Sequence, residues 1–132
     1  MPISMRKLRS MGFVFGPEYR LERGQIRLDS NLLPRTRGVY TLIAGRSPVY
    51  VGSGGIRRRT TVFTRTLTDR HRAHKAKCEN LRALLKRGVR VRVMYVCPEQ
   101  QSWGDLQYCP CHGIEHALIN LGEKPAWNFR KR

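Results

Sequence analysis

Eight cations lie between Arg57 and Lys77 (Arg57, Arg58, Arg59, Arg65, Arg70, Arg72, Lys75 and Lys77) against the single acid Asp69. A run of that density suits a phosphate track, whose contacts position a nucleic acid without reading its sequence. If about six of these side chains touch phosphates, affinity falls with salt along a log-log slope near −5 on duplex DNA. The plainer reading of any single one is a solvated helix face. Within the run, Arg70 and His74 are four residues apart and so neighbours on one helical face. Glu115 is one of only nine acids, stands about one turn from His112, and lies in a stretch with no Lys or Arg between Arg92 and Lys124. Tyr40 and Tyr50 each share a short β-prone triplet with a glycine, Gly38-Val39-Tyr40 and Tyr50-Val51-Gly52. Taken singly, these are ordinary residues: sheet tyrosines, a core-edge histidine and an acid near a helix N-terminus.

The elements that must position them can be read from periodicity. Gly38 to Ala44 and Val49 to Gly52 are strand-like runs joined by the turn-rich Gly45-Arg46-Ser47-Pro48, a β-hairpin. Gly54 to Arg65 reads as an inserted loop. A long helix follows, with a capping box at Thr66-Leu67-Thr68-Asp69 and a stop at Gly88. Leu67, His74, Cys78, Leu81 and Leu85 share one stripe of it. Val91, Val93, Tyr95 and Cys97 alternate with Arg90, Arg92 and Met94, the signature of a third strand over Arg90 to Cys97. After a loop holding Trp103, Gly104 and Asp105, a short helix spans Pro110 to Leu121 with Gly122 as its stop. Ahead of all this, Phe13 to Phe15, Tyr19 to Leu21 and Gln25 to Leu28 are β-prone runs punctuated by Gly16-Pro17 and Gly24. The expected organisation is a small N-terminal β extension over 1–35 and one domain over 36–132.

Composition agrees with one domain and a polyanionic partner. The 132 residues are 40% hydrophobic, enough for a core, and 26 Lys and Arg against nine Asp and Glu give a net charge of +17. There is no apolar run long enough to span a bilayer and no apolar segment of a secretory signal after the basic Met1 to Arg9, so a cytoplasmic protein is expected. In that setting Cys78, Cys97, Cys109 and Cys111 are expected as free thiols. The run Cys109-Pro110-Cys111-His112, with Cys97 upstream, invites comparison with zinc sites, but its spacing matches none of the usual finger or ribbon patterns.

The ordered conjunction of these residues resembles the GIY-YIG nuclease family. Gly38-Val39-Tyr40 and Tyr50-Val51-Gly52 stand where the family has its two triplets. Arg70 and His74 on the next helix, Glu115 on a later one, and Pro125 with Asn128 at the end follow in register, covering about 70% of the chain. The resemblance implies an α/β (α+β) sandwich with a three-stranded antiparallel β-sheet flanked by helices, and a metal-dependent DNA endonuclease. By the same resemblance Tyr40 is the general base, Arg70 clamps the scissile phosphate through its rigid donor fork, and Glu115 holds one divalent cation, Mg2+ or Mn2+. Tyr50 orients water or phosphate, His74 helps take the proton, and Asn128 supports the site by hydrogen bonding. In many family members the arginine follows the second tyrosine more closely, which leaves Arg57, Arg58 and Arg59 as the alternative to Arg70. The partner implied is duplex or branched DNA. One site suits one strand, so a double-strand break needs a homodimer or two visits. The rival readings are a non-catalytic nucleic-acid-binding module on the same fold and a basic domain for an anionic membrane or an acidic protein.

Overall fold

Alternation along five segments builds the sheet that carries the tyrosines. In the computed structural model, which describes residues 3–64, 72–121 and 125–128, α1 (Met5–Ser10) leads into β1 (Val14–Glu22), β2 (Gln25–Arg27), β3 (Arg37–Ala44) and β4 (Ser47–Gly55). Helix α2 (Ile56–Thr61) continues as a 3₁₀ turn over Val62–Thr64, and α3 (Arg72–Lys86), β5 (Val91–Val96), β6 (Gln101–Trp103), β7 (Leu106–Tyr108) and α4 (Cys111–Ile119) complete the order. The main sheet is antiparallel throughout, in the order β2-β1-β5-β3-β4.

This sheet has five strands rather than the three expected. The extra two come from the N-terminal hairpin, whose β1 pairs with β5 from Val14↔Tyr95 to Tyr19↔Val91. Gly16 and Pro17 do not divide two strands; the register shifts between Phe15 and Glu18, a bulge that takes a proline without costing a ladder hydrogen bond. Tyr19 and Ile26 thereby join Leu42, Val93 and Leu81 in one core. On the other face Val39, Ile43 and Met94 pack with Leu8, Cys111 and Leu118. The β5 strand is thus covered on both sides, and Met94 is as buried as Val93.

Residues 54–64 are not a loop. Glycines 54 and 55 end β4, and Ile56, Thr60 and Phe63 turn one buried face inward through α2 and the 3₁₀ turn. The Thr60 hydroxyl donates to Ile56 O at 2.8 Å, and Tyr19 Oη donates to Thr60 O at 2.7 Å, which ties this helix to β1. The stretch around Trp103 is likewise a hairpin, β6–β7, with Gly104 at its turn (φ +59°). Gly88 ends α3 in the left-handed region (φ +80°), as its position implied. The proposed capping box, Arg65, Arg70, Gly122 and the basic tail lie outside the described residues, as do the side chains of Arg72 and His74. Among the described residues no helix is long and apolar enough to cross a membrane.

Candidate active site

Strand register brings the two triplets together. Tyr40 on β3 stands directly opposite Gly52 on β4, and its phenol lies over that glycine. A Cβ at Gly52 would stand 2.6 Å from both Cζ and Oη of Tyr40, so only glycine leaves room for the ring. Tyr50 lies two residues back on the same strand; the two rings are 6.0 Å apart with planes at 46°. Phe63 closes the far side of Tyr50 at 5.8 Å, edge on.

From the other side of β4, α4 delivers Glu115. Ser53 Oγ donates to Glu115 Oε1 at 2.5 Å, and His112 Nδ1 is 3.7 Å from the same oxygen. Tyr40, Tyr50, Gly52, Ser53, Gly54, Glu115 and His112 line one cleft of about 360 Å³, joined by Arg37 and Arg59. The Arg59 side chain runs across Gly54, where a Cβ would meet its Nε at 2.9 Å. Of the three candidate arginines of α2, then, Arg59 enters the cleft. Arg57 is spent on structure, donating through Nε and Nη2 to Leu33 O at 3.0 and 2.8 Å. Arg58 is exposed on a separate surface with Arg35.

Electrostatics sort the two phenols. Burial pushes the Tyr40 hydroxyl well above the ordinary tyrosine value, the neighbouring Tyr50 and Tyr19 add to it, and Arg59 alone opposes. Tyr50 is raised by burial and by the Glu115 charge, and is pulled back by its hydrogen bond with Tyr40 and by Arg59. Lys77, read from sequence as part of a phosphate track, is buried instead, with Nζ 4.5 Å over the Tyr50 ring. Its ammonium is pushed down in pKa by burial and held up by Cys78 and Glu115. Lys75 is half-buried on the same helix.

Asn128 holds the strand rather than the reacting atoms. The β4 edge is open in the sheet, and residues 125–128 run along it: Trp127 N–H donates to Val49 O at 2.7 Å, Val51 N–H donates to Asn128 Oδ1 at 3.0 Å, and Asn128 Nδ2 donates to Val51 O at 2.9 Å. The amide stands in for a neighbouring strand. Asn128→Ala leaves a buried N–H and a buried carbonyl of Val51 unpaired, and urea denaturation is expected to show a loss of roughly 2–4 kcal/mol. A loss below about 1 kcal/mol, the size of a single net hydrogen bond, would contradict this role.

For a cation the cleft offers hard oxygen: the Glu115 carboxylate, with the Ser53 hydroxyl against it. Among the described residues no three His, Cys, Asp or Glu side chains cluster closely enough to hold an ion. One carboxylate with water and phosphate filling the rest is a magnesium donor set, and it is poor in the nitrogen and sulfur that zinc prefers. The four cysteines are free thiols. Sequence reading passed over Ser53 and Arg37, although each directly flanks a triplet and adjacent strands bring those flanks into one cleft.

No protein-family model and no curated protein sequence matches the chain. Among solved structures, a point mutant of bacteriophage T4 EndoII is similar with a TM-score of 0.78 at 18% identity, covering 95% of this chain and 98% of that one. The chain therefore has, over nearly its whole length, the mixed α/β GIY-YIG-type fold of phage T4 EndoII.

Proposed function

We propose that the chain is a metal-dependent DNA endonuclease, with residues 36–132 carrying the site and residues 1–35 completing its sheet. The observation that carries this reading is the convergence of two neighbouring tyrosines, a guanidinium and one carboxylate on a single cleft. The fold shared with EndoII supports it. Water attacks the phosphorus, a new P–O bond forms, and the bond to the leaving sugar oxygen breaks. Tyr40, as its phenolate, accepts the water's proton and becomes the phenol, Tyr50 orients the water, and the leaving sugar oxygen takes a proton from solvent. Arg59 and Arg37 face the phosphoryl oxygens as charge grows on them; the family resemblance assigns Arg70 to the same clamp and His74 to help with the proton. Glu115, fixed by Ser53, would hold a divalent cation, which when bound would supply Lewis-acid stabilisation of the leaving oxygen.

Nicking of supercoiled plasmid in magnesium, with and without chelator, tests the assignment. No metal-dependent cleavage of any duplex or branched substrate would leave the non-catalytic binding module as the better reading. The arginines separate by the same assay. Arg59→Ala is expected to slow cleavage by about a hundredfold or more, the scale of losing one donor to a developing anion. Arg58→Ala should mainly weaken binding and flatten its salt dependence by about one unit of slope. If Arg70→Ala abolishes cleavage while Arg59→Ala stays within a few-fold of the parent, the clamp is Arg70 rather than a residue of α2.

A further inference from the structure

A second cleft lies away from the tyrosines. Helix α1 and the seam of β1 with β5 bound about 470 Å³ lined by Met5, Arg6, Arg9, Phe15 and Arg92. That is within the roughly 300–1,000 Å³ of small-ligand sites. None of the five lines the proposed active site. Arg92 stands opposite Ile43, three places along β5 from the pair Tyr40↔Tyr95, a rise of about 10 Å. Strand alternation puts it on the face of Met94, whereas Tyr40 packs into the core on the other face.

The Arg92 guanidinium is held in place but its hydrogen bonding is incomplete. Nη2 donates to Gly45 O at 3.2 Å and lies 3.8 Å from Met5 Sδ, and Cζ stands 4.3 Å over the centre of the Phe15 ring. Its Nε is buried and has no hydrogen-bond partner among the described residues. A buried charged donor left so is costly, and water or an anion from outside the chain is what meets it. Arg6 and Arg9, both exposed, stand one turn apart on α1 and face the same cleft, and no Asp or Glu is among the described residues that line it. Three guanidiniums without a carboxylate select an anion. The ring, the thioether and the guanidinium plane add a demand that inorganic phosphate does not meet: a flat apolar body to stack on them.

We propose that this cleft holds an unpaired nucleotide of a DNA strand, its base against the Arg92 and Phe15 pair and its phosphates on Arg6 and Arg9. A duplex cannot use it, because stacked base pairs present only their edges to a protein. A free mononucleotide carries the same two chemistries, but two arginines one helical turn apart suit a strand, which offers successive phosphates. The site stands on its own geometry. That the strand is DNA rests on the nuclease reading above.

Photo-cross-linking of the full chain, in chelator so that nothing is cut, locates the base. Hexadeoxythymidine carrying one 5-iodouracil should cross-link to Phe15 or Met5, read by mass spectrometry of the peptides. Unlabelled hexamer should compete the cross-link away, and blunt duplex or free thymidine monophosphate at equal nucleotide concentration should not. By fluorescence anisotropy the chain should prefer the hexamer over an abasic strand with the same phosphates by about tenfold, the scale of one stacked base. Phe15→Leu should erase that preference, and Arg6→Gln with Arg9→Gln should weaken both probes and flatten the salt dependence by about one unit of slope. Should Phe15→Leu misfold, the cross-link in the intact chain still decides. A cross-link confined to Tyr40 or Tyr50, competition by duplex or mononucleotide as effective as by the hexamer, or a preference that survives in folded Phe15→Leu each overturns the proposal. A cross-link at Phe15 from a chain that cuts no substrate overturns the nuclease reading and leaves this site standing.

Discussion

Glu115→Gln lowers magnesium-dependent cleavage by about three orders of magnitude and leaves the fold intact. Glutamine keeps the volume of the side chain and an oxygen to accept the Ser53 hydroxyl, which now bonds Glu115 Oε1 at 2.5 Å. What it removes is the charge, and among the described residues that line the cleft no other carboxylate replaces it. A cation bound there is worth several kcal/mol to the transition state, and about 4 kcal/mol corresponds to roughly a thousandfold in rate. Two secondary effects follow. Tyr50 loses the negative charge that raises its pKa, so its phenol titrates lower in the variant. Lys77 loses one of the two groups that favour its protonated form, which shifts it further down. Three measurements check the claim together: the nicking rate at saturating magnesium, Mn2+ binding by water-proton relaxation, and the thermal midpoint. The rate and the ion binding should both be lost while the midpoint moves little. Cleavage within tenfold of the parent would remove Glu115 from the metal site.

Much of this arrangement was legible because local chemistry dictates it. The triplets had to pair, since Tyr40 opposite Gly52 is what lets a phenol lie flat over a neighbouring strand. The alternation of Val91 and Val93 and the stop at Gly88 needed nothing beyond their neighbours. The N-terminal hairpin was visible as a hairpin, but not its pairing with β5. That contact joins residues more than seventy positions apart, and no local signal marks it. Helix α2 was hidden by composition: Thr60 and Thr61 are weak helix formers, and their hydroxyls had to bond back to Ile56 O and Arg57 O. The same misreading left Arg59 undistinguished from Arg57 and Arg58, because a residue in a loop has no fixed direction, whereas one on a helix starting at the end of β4 is aimed back over Gly54. Lys77 misled for a related reason. Its charge suggested solvent, but its place on α3 turns it over Tyr50, where a ring face and the nearby Glu115 charge accommodate it.

The pH dependence of cleavage should carry the mark of Tyr40. Its phenol is held well above the ordinary value of 10.0 by burial, so at neutral pH it is protonated, and the ionised fraction rises tenfold for each unit of pH. If the phenolate takes the proton from the attacking water, log rate climbs with a slope near one through pH 7 to 9 and bends only above about 10. Arg59 is the one group that lowers this pKa, so Arg59→Ala moves the bend to higher pH as well as reducing the rate. Tyr40→Phe keeps the ring over Gly52 and deletes only the hydroxyl. It should cost roughly 10²–10⁴ in rate, the range of a lost general base. The slope separates two kinds of catalysis that the rate alone confuses. Bulk hydroxide attacking the phosphorus also gives a slope of one, but it does so whether or not residue 40 has a hydroxyl. A flat profile in Tyr40→Phe therefore makes Tyr40 the base. A slow variant that keeps the unit slope makes Tyr40 a group that positions the water, with the proton leaving to solvent.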